Sequence, residues 1–201
     1  MEVIEKKPEK YQKTVLILGV MHGEEPQGEM LIRKYLEICR EEDIKNRLVF
    51  VPCINEYGKV HNIRQNKNGV DLNRNYPTQN WKLTGKNEYF GGESPASEEE
   101  TKFLIDLIEK VRPDFILTIH APFKVVNYDG PAKKEAEKIA ELTGYPVQKD
   151  IGYPTLGSFG TYYGVEKGMP VVTLELPENT PENELWLQNA SVFEFLAKNY
   201  S

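Results

Sequence analysis

The chain has 201 residues, enough for one sizeable domain, and its 39% hydrophobic and 10% aromatic content supports a packed core and argues against wholesale disorder. Its 31 Asp and Glu exceed its 25 Lys and Arg, and the net charge of −6 argues against nucleic-acid or anionic-membrane partners, which reward basic faces. Two cysteines, Cys39 and Cys53, are too few for a disulfide framework or a cysteine-based zinc site.

The first ten residues, MEVIEKKPEK, contain neither an apolar leader core nor a cleavage pattern. No apolar run approaches the roughly 20 residues needed to span a bilayer. A soluble, cytoplasmic protein is the expectation. Residues 15–20 (VLILGV) form a continuous apolar run, the mark of a strand buried on both faces. Pro26 then stands where a first helical turn begins, and Met30, Leu31, Tyr35 and Ile38 recur at helical spacing. Residues 48–54 (LVFVPCI) predict a second strand. Residues 55–92 are rich in Asn, Gly and Tyr with little periodicity, and so long an irregular stretch in a compact domain is usually functional. Ser97 and Glu100 have capping-box spacing ahead of Phe103, Leu104, Leu107 and Ile108. A third strand is predicted over 115–119 (FILTI) and a helix over 131–142, stopped by Gly144. A second Gly/Tyr-rich loop covers 152–168. A fourth strand follows over 171–176 (VVTLEL), and a closing helix over 181–197. Without repeats or a linker, residues 1–201 read as a single α/β domain with a mixed, largely parallel central β-sheet flanked by helices.

In open α/β sheets, ligands bind beyond the carboxyl ends of the strands. Met21, His22, Gly23, Glu24 and Glu25 follow the first predicted strand, and Asn55 follows the second. His120 closes the third, and Glu175 lies near the end of the fourth. Two of the three histidines therefore fall at one predicted edge, beside acids. His22 and Glu25, at His-x-x-Glu spacing, can converge on one ion from a tight loop, and His120 can supply a third ligand. The competing reading makes Glu25 a helix N-terminal acid favoured by the dipole. Glu24 is a rival ligand only two residues from His22. Glu175 inside an apolar strand carries a desolvation cost unless it is paired, hydrogen-bonded or near a metal. Such a carboxylate suits a general base. The alternation of Thr173 and Glu175 with Val172, Leu174 and Leu176 also allows a solvent-facing position. Residues 64–77 (RQNKNGVDLNRNYP) concentrate Arg and Asn, suited to holding a carboxylate or an oxyanion.

Together, His22-Gly-Glu-Glu25, Gly69-Val-Asp-Leu-Asn-Arg-Asn-Tyr-Pro77, Thr118-Ile-His120, Thr173-Leu-Glu175 and the segment 89–100 (YFGGESPASEEE) resemble the zinc metallocarboxypeptidases of the carboxypeptidase A type, in order, from about Val15 to Leu176. Within that family, residues 19–26 (GVMHGEEP) and 152–158 (GYPTLGS) are most similar to bacterial murein peptide amidases, which cleave between γ-D-glutamate and meso-diaminopimelate. The resemblance implies one zinc ion held by His22, Glu25 and His120, with Glu175 as general base and then proton shuttle to the leaving amine. It implies that Arg64 helps polarise the scissile carbonyl, and that Asn73 and Arg74 grip the carboxylate of a small cell-wall peptide. It implies a substrate-binding role for Tyr153 and places Phe159 in the pocket for the released residue. Relatives that prefer basic side chains carry an acid at that last position, so Phe159 argues against simple Lys/Arg specificity. His61 is expected to be an ordinary loop residue. Two other readings remain: a zinc-dependent deacylase of N-acyl amino acids, similar to succinylglutamate desuccinylases and aspartoacylases, and an inactive peptide-binding module.

Overall fold

The computed structural model describes residues 1–149 and 155–201. Seven strands form one mixed sheet: β1 (Ile4–Lys6), β2 (Thr14–Leu18), β3 (Arg47–Val51), β4 (Phe115–His120), β5 (Phe123–Asp129), β6 (Val147–Gln148) and β7 (Val171–Pro177), in the order β1-β3-β2-β4-β7-β5-β6. The four central strands β3, β2, β4 and β7 are parallel. β1 is antiparallel to β3, and β5 is antiparallel to β7. The expected mixed, largely parallel α/β sheet is the one observed. β1, β5 and β6 were not expected; two of them are short, and β5 mixes apolar and polar residues.

Period-two alternation divides the core. Val15, Ile17, Phe50, Leu117 and Leu174 face one side, covered by α1 (Gln27–Ile38), α4 (Lys133–Thr143) and α5 (Glu182–Lys198). Leu16, Leu18, Val49 and Ile116 face the other, toward α3 (Glu99–Val111), Leu72, Tyr76 and Phe159. Gly144 ends α4 in the left-handed conformation at φ 73°, as predicted.

Three local differences from expectation have clear causes. The first strand stops at Leu18 rather than residue 20, because Val20 takes φ 48°, a left-handed geometry that costs a β-branched residue about 1–3 kcal/mol. The irregular stretch 55–92 contains α2 (Glu56–His61), capped by Asn55 Oδ1 accepting from Gly58 N at 2.8 Å, and a 3-10 turn (Leu72–Arg74). His61 therefore sits on a short helix, exposed. The capping box does not form, since Glu98 rather than Ser97 is the N-cap of α3 and makes no side-chain cap bond. Ser97 Oγ instead donates to Glu98 at 2.6 Å and accepts from Asn75, while Glu100 accepts from Asn66. Both polar residues are recruited by the asparagine-rich loop. Within the predicted loop 152–168, residues Gly160–Glu166 form a π-helical segment. No helix among the described residues is long and apolar enough to cross a membrane.

Candidate functional site

The site is built where β2, β4 and β7 end side by side. The strained turn at Val20 throws His22 over the sheet edge. Gly23 then packs on α2 so tightly that a Cβ would lie 1.9 Å from the Gly58 carbonyl carbon, so only glycine fits between His22 and Glu25. His120 is the last residue of β4 and is in register with Glu175 on β7. His22, Glu25, His120 and Glu175 are all less than 10% exposed.

Glu25 is the hub. Its Oε1 lies 2.9 Å from His22 Nδ1 and its Oε2 lies 2.9 Å from His120 Nδ1. One ligand atom from each of the three residues falls within 4.8 Å of the others, so the cluster can hold a metal ion. Helix α1 begins just after Glu25, but the carboxylate is engaged by the two imidazoles and by Ala121 N at 3.3 Å rather than by the helix N-terminus. Glu24 is exposed and lies 3.9 Å from Arg64, away from the histidines.

Asp71, inside the quoted motif but given no role from sequence, ties the site together. Fully buried, it accepts from Arg64 Nε at 2.8 Å and from Asn73 N at 2.9 Å, and it lies 3.1 Å from His22 Nε2. With the proton on Nε2, the Nδ1 lone pair of His22 faces Glu25, the arrangement by which an outer carboxylate orients a metal-ligating imidazole. Without a cation the cluster binds a proton instead. Burial alone would depress the His22 pKa, but Glu25 and Asp71 override it and raise it to about 9. Burial pushes Glu25 and Asp71 up, yet the neighbouring histidines, with Arg64 at Asp71, hold both below the ordinary carboxylate range. Two carboxylates that hold positive charge on a buried imidazole form a donor set suited to a divalent cation.

Glu175 differs from them. Burial raises its pKa, the opposing pull of His120 notwithstanding, and its Oε2 has no hydrogen-bond partner among the described residues. The solvent-facing reading of this residue is therefore set aside. Glu175 borders a cavity of about 460 Å³ shared with His22, Glu25, His120, Arg64, Asn73 and Arg74. Arg64 and Arg74 both stack near the Tyr89 ring, at 5.2 and 5.9 Å from its centroid. Arg74 Nη1 donates to Asn73 O at 2.7 Å, and Asn73 Oδ1 accepts from Phe159 N at 2.9 Å. Phe159 is 2% exposed, packs against Tyr76 and Tyr163, and borders a smaller adjoining cavity. Tyr153 lies outside the described residues. The structure thus brings eight of the nine predicted site residues to two adjoining cavities.

Residues 2–167 match the zinc carboxypeptidase family model, and the chain belongs to that family: it is a metallopeptidase of carboxypeptidase type. It is 30% identical to murein peptide amidase A of Escherichia coli (strain K12) over 184 residues, covering 85% of this chain and 74% of the relative. It is 33% identical to murein peptide amidase A of Vibrio campbellii over 177 residues, covering 81% and 68%. Its fold matches the crystal structure of murein-tripeptide amidase from Escherichia coli O157 with a TM-score of 0.85 at 25% identity, covering 98% of this chain and 87% of that one. It also shares the fold of carboxypeptidase A from Helicoverpa armigera, with a TM-score of 0.77 at 17% identity over 97% and 66%.

Replacing Asp71 by Asn removes the charge that orients His22 and pairs with Arg64. Zinc affinity, read by competition with a chromogenic chelator, is expected to fall about 10–100-fold. An unchanged affinity would reduce Asp71 to a loop anchor.

Proposed function

We propose that this chain, as one catalytic domain, hydrolyses an amide bond next to a carboxylate-bearing residue, namely the γ-D-Glu–meso-diaminopimelate bond of murein peptides. The observation that carries the reading is the buried Glu175 Oε2, unpaired among the described residues, in the same cavity as the His22–Glu25–His120 cluster and two arginines. Zinc, when held by His22, Glu25 and His120, supplies the Lewis acid that makes water nucleophilic at neutral pH. Glu175 takes the proton from the attacking water. Its raised pKa makes it a stronger base, and it then delivers the same proton to the leaving amine. Arg64, held by Asp71, stabilises the negative charge that develops on the carbonyl oxygen. Arg74 and Asn73 anchor the substrate carboxylate. Asn73 Oδ1 is occupied by Phe159 N, and its amide nitrogen, which donates no hydrogen bond among the described residues, is left to the substrate. Tyr153 and Phe159 contribute to substrate binding.

The similarity to the murein peptide amidases A of Escherichia coli and Vibrio campbellii supports the murein substrate. A cytoplasmic place in cell-wall peptide recycling is the corresponding proposal, and cell fractionation checks it. The deciding experiment is hydrolysis of L-Ala-γ-D-Glu-meso-diaminopimelate followed by mass spectrometry, with and without chelator. Release of diaminopimelate that stops on chelation is expected. Cleavage of an N-acyl amino acid in its place would favour a deacylase.

A further inference from the structure

The two arginines of the site are held in different ways. Arg64 has a full partner: its Nε donates to Asp71 at 2.8 Å, and Glu25 and Glu24 lie 3.8 and 3.9 Å from its Nη1. Arg74 is only 8% exposed, yet among the described residues no carboxylate forms an ion pair with it. Its guanidinium donates there to one group, the Asn73 carbonyl, at 2.7 Å. A guanidinium removed from water needs compensation for its charge. The Tyr89 ring supplies it. Arg64 lies 5.2 Å and Arg74 5.9 Å from the ring centroid, both within the range of a cation–π contact.

Core packing does not put the ring there, because Tyr89 is 47% exposed. The backbone around it does. Asp71 N donates to Phe90 O at 2.8 Å, Gln65 Nε2 to Asn87 O at 2.7 Å, and Asn75 Nδ2 to Gly91 O at 2.7 Å. Gly91 lies so close to the same loop that a Cβ there would collide with Arg74 O. Residues 87–91 are thus fastened, on both sides of Tyr89, to the loop that bears both arginines. An exposed ring adds little to a core, so this fastening serves the two guanidiniums that the ring faces.

We propose that Tyr89 is a positioning residue for both arginines. A carboxylate partner would fix Arg74 but would take up the N–H groups with which it grips a substrate carboxylate. An aromatic face attracts the cation through its quadrupole and leaves those N–H groups unspent. Tyr89 therefore holds Arg74 with its donors free, and the same ring restrains Arg64, whose Nη groups Asp71 leaves unbonded. Because one ring serves both, it also fixes the spacing between the cation for the carboxylate and the cation for the oxyanion. The inference rests on the roles given above to Arg64 and Arg74 in amide hydrolysis.

The test compares zinc-loaded wild type, Tyr89→Phe and Tyr89→Leu on L-Ala-γ-D-Glu-meso-diaminopimelate. The Arg Nε–H signals of each protein are followed by proton–nitrogen NMR and assigned with Arg64→Lys and Arg74→Lys. Tyr89→Leu is expected to raise KM about tenfold through Arg74 and to lower kcat about fivefold through Arg64, with zinc content unchanged. Tyr89→Phe keeps the ring and should hold both values within about twofold of wild type. In an Arg74→Gln background, Tyr89→Leu should leave KM nearly where it is, which a general loosening of the loop would not do. The ring-current shift on both Arg signals should persist in Tyr89→Phe and vanish in Tyr89→Leu. The proposal is overturned if Tyr89→Leu turns over like wild type or if Tyr89→Phe is as impaired as Tyr89→Leu. It is also overturned if Tyr89→Leu raises KM equally with and without Arg74→Gln, or if the Arg signals carry no ring-current shift. If wild type leaves the peptide uncleaved, the murein reading fails, and the ring-current shifts, which need no substrate, still decide for or against Tyr89.

Discussion

Glu175→Gln is expected to lower kcat by about 10²–10⁴ while the zinc content stays that of wild type. The substitution keeps the shape of the side chain and removes only the base. His22, Glu25 and His120 keep their ligand atoms, so metal analysis of the purified variant separates loss of the base from loss of the ion. The wild-type pH profile carries a second signature. Glu175 must be ionised to accept a proton, and burial raises its pKa, so activity should fall as pH drops through a limb lying above the ordinary carboxylate range. In Glu175→Gln that limb should vanish from the residual activity. A variant that turns over like wild type would remove Glu175 from the chemistry.

His120→Ala should lose both the ion and the reaction. Two ligands remain, and the Glu25 carboxylate loses one of its two imidazole partners. Activity is expected to drop by roughly 10³-fold or more, because bulk water ionises near pKa 15.7 and zinc-bound water near about 7. Stability should report the same ion independently. Zinc bound only by the folded chain adds about 4 kcal/mol at a thousandfold excess over its Kd, so a chelator should lower Tm. The pH dependence has a definite sign. In metal-free protein the raised His22 pKa means that protonation stabilises the fold fully below about pH 6.5, and this contribution fades as pH rises through about 9. Zinc requires the neutral imidazole, so its binding strengthens over that window. The Tm gap between zinc-loaded and metal-free protein should therefore widen from pH 6.5 to 9. A gap that stays constant would mean that His22 does not exchange a proton for the metal.

The parts of this molecule that were legible in the sequence share one property: their signal is local. The apolar runs that became β2, β3, β4 and β7 declare themselves, because strands buried on both faces have no polar alternation to blur them. The histidines and Glu175 could be assigned to one edge because parallel strands send all their carboxyl ends the same way. What stayed hidden depends on distant partners. Asp71 sits among small and apolar neighbours, and its importance comes from His22, 49 positions away. Ser97 and Glu100 have the spacing of a capping box, yet Asn75 and Asn66 claim them first. Asp129, which borders the smaller adjoining cavity, was invisible for the same reason: it ends a strand whose pairing with β7 no pattern in residues 123–129 announces.

That pairing has a further consequence. β5 runs antiparallel to β7, so each two-residue step along β5 toward Asp129 moves about 7 Å away from the level of Glu175. Val125 stands opposite Glu175, Asn127 opposite Thr173, and Asp129 opposite Val171, so the polar residues of β5 are set at graded depths below the histidines. A substitution on this face of β5 therefore changes the adjoining cavity at one fixed depth below Glu175, without altering the edge where the histidines stand.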